Sequence, residues 1–192
     1  MERIEKMKDN IQEYRVRRAE TKRDYLTKYK TKIETDFVEQ LNILVRDQLH
    51  NQPDVSDRKL SNLFMCRLKS SEYTGSYESI LGLSCSQPYL DDQKSQLYWR
   101  PPYLYDNLDK DMGEVEKYLR KNFIRIEKYE LFRLQQQLLY DDWQIWESII
   151  PELAERNREV ITHSPLHIND EILVVSGDYM ERLKVIGYIK VE

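Results

Sequence analysis

Glycine is scarce in this sequence, five residues in 192, and the five never cluster. That excludes a glycine-rich phosphate loop, whose backbone must wrap closely around its ligand. With only six prolines, it also argues against a loop-dominated β fold. Histidine is scarcer still, at three. His163 and His167 flank Pro165, so their spacing of four does not put them on one helical face. No cysteine or third histidine lies nearby to complete a zinc site, although Asp170 follows. Ser/His/Asp and Cys/His catalysis therefore have little to build on.

The two cysteines, Cys66 and Cys85, are too few for a disulfide framework or a metal quartet, which favours a reducing compartment. Cys66, in LFMCRL, reads as a buried and inert thiol. No run approaches the 18 apolar residues of a membrane span, and the opening MERIEKMKDN lacks the apolar stretch of a signal peptide. The expectation is an intracellular protein, cytoplasmic or nuclear, with no membrane contact, no cofactor, no metal and no enzymatic activity.

What is present is charge and tyrosine. Charged residues make up 33% of the chain and mean hydropathy is −0.76, which suits long exposed helices better than a thick core. Fourteen tyrosines against four phenylalanines suggest half-wet contact surfaces, since tyrosine hides a ring and keeps its hydroxyl solvated. Charge is segregated: residues 1–32 hold 11 Lys/Arg against 6 Asp/Glu, and the remainder holds 19 against 28.

Residues 2–49 contain no glycine or proline and are rich in helix formers. Ile4, Met7, Ile11 and Tyr14 repeat at heptad spacing, the pattern lapses through RVRRAETKRD, and it resumes at Tyr25, Tyr29, Ile33, Phe37, Leu41 and Val45. The spacing of four drifts off a strict heptad, so a uniform left-handed coiled coil is not expected. A single helix here needs a partner, either a second copy or another protein. The alternative is two shorter helices folded back as an antiparallel pair.

Asn51-Gln52-Pro53-Asp54 stops that helix, with Asp54 and Asp57 as caps for the next. Leu60, Leu63, Phe64 and Leu68 suggest a short amphipathic helix. Residues 70–106 read as an irregular linker with one helical turn at YESILGL, and its Tyr98, Trp99, Tyr103 and Tyr105 look like docking anchors. A second helical region follows over 107–161, capped by Asp109 or Asp111 and interrupted near Pro151. Residues 162–192 read as a β-hairpin tail, with strands at 172–175 and 183–191. The doublets Asp91-Asp92 and Asp141-Asp142 suit a hard cation or a solvated face.

The basic stretch EYRVRRAETKRDYLTKYKTK carries eight Lys/Arg against three acids, interleaved with tyrosine. Arg15, Arg17, Arg18, Lys22 and Arg23 could lie along a nucleic-acid backbone.

The order of EYRVRR, then PPYLYDNLDKDMGEVEKYLR, then I-x-V-x-S-x-D resembles the metastasis-suppressor-related coiled-coil subunits of histone deacetylase corepressor complexes. That resemblance covers about half the chain; residues 123–161 have no counterpart and the family's low-complexity linkers are absent. It implies a dimer seam at Tyr14, Tyr25, Tyr29, Ile33, Phe37 and Leu41, and a contact helix carrying Leu104, Leu108, Val115 and Leu119.

Together these readings give a mainly α, elongated protein with a long N-terminal helix over 1–49 and a small C-terminal β-hairpin. The expected function is that of a non-enzymatic oligomeric adaptor. It would self-associate or bind protein partners through Tyr25, Tyr29, Ile33, Phe37, Leu41 and Val45, and dock others through the aromatic linker and hairpin. The alternative is a nucleic-acid-binding accessory protein.

Overall fold

In the computed structural model, residues 2–51 and 58–191 are described. The helix stop at Gln52-Pro53 and the caps Asp54 and Asp57 lie outside them. The elements run α1 (Glu2–Asn10), α2 (Gln12–Lys28), α3 (Lys30–Asn51), β1 (Leu60–Arg67), α4 (Lys69–Thr74), β2 (Ser79–Ser84), β3 (Ser95–Trp99), α5 (Leu108–Leu119), α6 (Lys128–Arg156), α7 (Glu159–Thr162), β4 (Ile168–Asp178) and β5 (Lys184–Lys190).

This is an α/β protein, 54% helical and 20% strand, and the mainly α expectation is overturned by a five-stranded mixed sheet. The strand order is β3-β2-β1-β4-β5. Central β1 pairs antiparallel with β2 and parallel with β4; β3 and β5 add antiparallel at the two edges. The C-terminal strands do pair with each other, but as one side of this sheet rather than as a separate hairpin.

Three segments expected to be helical or irregular are strands. Residues 60–67 form β1, residues 79–84, which overlap the YESILGL turn, form β2, and part of the aromatic linker forms β3. The physical reason is burial on both faces. Phe64, Cys66 and Leu68 join Ile80 and Val175 in one core cluster, while Leu63, Met65, Leu81 and Leu83 are buried as well. A strand covered on both sides reads as a continuous apolar run, and periodicity cannot tell that from a buried helix.

The chain forms two compact units: Met1–Lys30 with Pro102–Trp146, and Thr31–Pro101 with Glu147–Glu192. The second contains the sheet. There α3 turns Ile33, Phe37, Leu41, Leu44, Val45 and Gln48 inward, the spacing of one helical face. It is tied to β3 by several contacts. The Trp99 ring lies 5.8 Å from that of Phe37, the Trp99 Nε1–H donates to Asp36 at 2.7 Å, and Gln48 Oε1 accepts the Ser95 amide at 2.9 Å. On the other side of the sheet order, Glu147 of α6 accepts from Ser176 at 2.9 Å and from Lys184 at 2.6 Å. Gly187 leaves room for Pro151: a Cβ there would sit 2.6 Å from the proline Cβ.

The single long helix expected over residues 1–49 is not formed, and the coiled coil implied by the corepressor-subunit resemblance is not supported. Residues 2–51 are three helices, with breaks at Ile11 (φ −96°, ψ 5°) and Tyr29 (φ −102°, ψ 13°). Phe37 and Leu41 are fully buried within the chain itself, and Ile33 and Val45 nearly so.

Candidate functional site

In the first unit the buried stripe of α1 and α2 runs Met7, Ile11, Arg18, Lys22 and Leu26. The spacing stays helical through the lapse at RVRRAETKRD, but two of its inward positions are cations. Burying an unpaired charge is prohibitive, so each must meet a partner. Arg18 is 6% exposed and reaches two helices. It holds both carboxylate oxygens of Asp142 at 2.8 and 2.7 Å and donates from Nε to Asp111 at 2.7 Å. Lys22 donates to the Leu104 carbonyl at 2.7 Å and lies 3.6 Å from Asp142. Arg15, one turn away, clamps Asp141 with two bonds of 2.8 Å. The Asp141-Asp142 doublet is thus a pair of arginine receptors set side by side on α6. The other doublet also has structural work. Asp91 accepts the backbone amides of Cys85 and Gln93 at 2.6 and 2.9 Å, and Asp92 pairs with Arg58 at 3.0 Å.

Electrostatics follow from this packing. Burial opposes the Arg18 charge, but Asp142 and Asp111 outweigh it and raise the guanidinium further above its ordinary value. Burial lowers the Lys22 ammonium, against the pull of Asp142. Tyr14 donates to Asp111 at 3.1 Å, and burial beside that carboxylate pushes its hydroxyl well above the usual phenol range.

These groups form the wall of a cleft of about 600 Å³. Tyr14, Tyr25 and Tyr118 give it rings; Arg17, Lys22 and Lys110 give it cations; Thr21 and Asn107 give it neutral polar groups. That volume lies in the range of small-molecule sites. The charges divide into two sets. Arg18, Lys22, Asp111 and Asp142 balance one another inside the wall. At the mouth, Glu114 is neutralised by Lys117 at 2.7 Å, which also lowers its carboxyl. Arg17 donates to the Tyr118 hydroxyl at 2.6 Å and lies 4.0 Å from Glu13. Lys110 and the Asn107 side chain make no hydrogen bond among the described residues, and Asn107 leaves the first turn of α5 without a side-chain cap. By these pairings Lys110 is the cation at the mouth that forms no ion pair within 4.0 Å among the described residues.

The expected site residues separate accordingly. Arg17, Arg18, Lys22 and Tyr25 meet at the cleft, Arg15 braces its wall, and Arg23 is exposed outside it. Tyr29 stacks on Tyr103 at 4.3 Å and both edge the Tyr25 ring, at 4.9 and 6.3 Å. Tyr103 holds a left-handed backbone (φ 67°), uncommon for a side chain of this size. Trp99 and Tyr105 are buried, Ile33, Phe37, Leu41 and Val45 lie in the core, and of the four expected docking anchors Tyr98 alone is largely exposed, at 67%. Tyr118, Asn107 and Lys110 carry no site signal in the sequence. The pattern that could reveal the cleft is the pairing of two cations on a helical core stripe with an Asp-Asp doublet on another helix.

Among the described residues no group of three or more His, Cys, Asp or Glu is arranged to hold a metal ion, and no helix is long and apolar enough to cross a membrane. The fold and cleft define an α/β protein with a tyrosine-lined cleft whose wall also carries Arg17, Arg18, Lys22, Lys110, Asp111 and Glu114. No protein-family model, no curated protein and no solved structure matches the chain.

Proposed function

We propose that the protein is a non-catalytic binding protein whose cleft in the first unit receives an anionic ligand. The observation that supports this is the division of charge. A self-neutralised inner wall fixes the cleft's shape, while at its mouth Lys110 and the Asn107 side chain make no hydrogen bond among the described residues and Arg17 has N–H groups beyond the one given to Tyr118. Preorganised donors of this kind lower the cost of binding, because the buried pairs already hold the framework. The other two readings, assembly through residues 25–45 and nucleic acid along 15–32, call on side chains that the chain already engages internally. Ile33, Phe37 and Leu41 are core, and Arg15, Arg18 and Lys22 are paired with carboxylates or a carbonyl.

Calorimetric titration with pyrophosphate at fixed ionic strength tests the reading. Saturable binding is expected, weakened at least about tenfold by Lys110→Glu and by Arg17→Glu. Both residues are exposed, so these changes leave the fold intact, whereas removing one partner of a buried pair such as Arg18–Asp142 costs about 3–5 kcal/mol of stability. No saturable heat, or equal binding by the wild-type chain and both variants, overturns it.

A further inference from the structure

We infer that the anion bound in the cleft carries a flat ring, and that its chemical class is a nucleoside monophosphate. This deepens the anion-binding reading and rests on it. A site for a bare anion needs donors and little else, yet three of the side chains lining this cleft are tyrosines. Their rings are positioned rather than loose. Tyr25 meets Tyr29 edge-on at 4.9 Å, and Tyr29 is stacked on Tyr103 with the planes 7° apart. Tyr14 and Tyr118 form a second pair at 5.7 Å, tied at one end by the Tyr14–Asp111 hydrogen bond and at the other by the Arg17–Tyr118 bond.

Local strain lies beside the cleft, at Tyr103, which is not itself one of its lining residues. Tyr103 keeps a left-handed backbone that disfavours a bulky side chain, and its ring is the one against which Tyr29 lies flat. Strained positions of this kind persist where the surroundings hold them, and they gather at ligand sites. Aromatic faces beside cations are what a base and its phosphate require together: the base stacks and the phosphate meets Lys110 and Arg17. Asn107, also at the wall, supplies both a donor and an acceptor for a ribose hydroxyl or base edge, and Thr21, whose hydroxyl donates to the Arg17 carbonyl at 3.0 Å, supplies an acceptor. A cleft of about 600 Å³ has room for base, sugar and phosphate at once.

The experiment is calorimetric titration of the full chain with adenosine monophosphate, ribose 5-phosphate, adenosine and inorganic phosphate under identical salt. Adenosine monophosphate is expected to bind at least about tenfold more tightly than ribose 5-phosphate, the gain of one stacked base. Tyr25→Ala should remove most of that gain and leave ribose 5-phosphate binding unchanged. Lys110→Glu should weaken both phosphates and spare adenosine. If ribose 5-phosphate and adenosine monophosphate bind equally well, the ring inference fails while the anion reading stands. If neither phosphate binds, the anion reading fails first. If Tyr25→Ala weakens both phosphates alike, Tyr25 is part of the framework and the ring inference fails. Circular dichroism of each variant separates lost binding from lost fold.

Discussion

Single side chains in this protein are most informative where a charge has gone inside. Glu72 on α4 is one such case. Burial pushes its carboxyl above the usual range, Arg67 at 3.6 Å pulls it back, and nearby Asp178 pushes it up again. The folded chain therefore holds the Glu72 proton more tightly than the unfolded chain does. Its ionised form lowers stability above the folded value, and that penalty is relieved as pH falls toward the unfolded value of about 4.3. Asp178 runs the other way. Burial opposes its charge, but bonds from Arg67 at 2.7 Å and Lys69 at 2.8 Å prevail and hold it below the ordinary carboxylate value. Its contribution is present above about pH 3.9 and lost as pH falls through the folded value. Replacing Glu72 with Gln should thus favour the variant increasingly as pH rises from about 4.5 to 7. Urea midpoints of the two chains across that interval would show it, and a constant difference would refute the burial argument. None of this is legible in sequence, where Glu72 sits in an unremarkable SSEYT. The cleft is partly legible. Its basic residues stand out by their charge, but the stretch that carries Arg18 and Lys22 on the inward stripe reads as a gap in the periodicity, because a pattern of apolar residues cannot register a buried ion pair.

At the level of elements, the helices of the N-terminal third are visible from composition, and the tail strands from their β-branched runs. The central strands are not, for they lack the alternation that exposes one face. Their packing makes a sharp prediction at Gly82. It pairs with Phe64 across β1 and β2, and a Cβ there would fall 2.6 Å from Phe64 Cε1 and 2.6 Å from the Ser95 carbonyl oxygen. One of those neighbours is backbone and cannot swing aside. Gly82→Ala is expected to destabilise by about 1–3 kcal/mol, as overpacking does. Gly113, inside α5 with nothing within 4 Å of where a methyl would sit, should instead gain about 0.5–1 kcal/mol from the same change. Thermal melts of the two variants decide the matter, and a neutral Gly82→Ala would mean that β1 and β2 are less tightly apposed than these distances require. The sheet's edges are guarded at the same scale. Strand β3 is five residues long and runs into Arg100-Pro101-Pro102, while β5 carries lysines at both ends and faces a register shift between Val174 and Val175. Short length, proline, lysine and bulges all discourage pairing with another chain.

Across the whole molecule, each compact unit draws on two stretches of chain far apart in sequence, so neither is built from one unbroken stretch. The parallel contact of β1 with β4 joins Leu60–Arg67 to a strand that begins at Ile168. A chain shortened to end at Ser164 should therefore lose more than a hairpin. Central β1 would keep only β2 beside it, and Phe64, Cys66 and Ile80 would lose Val175 from their cluster. Loss of the cooperative urea transition, with binding of a hydrophobic dye, is expected; retention of the full chain's midpoint would refute it. This dependence also sets the order of events during synthesis. Roughly 100 residues separate β1 from β4, and at the usual pace of translation that is a wait of roughly 5–20 s. Through that interval β1 has left the ribosome with an open, strongly apolar edge, a state that invites chaperone attention and makes the rate of elongation between the two strands a determinant of yield.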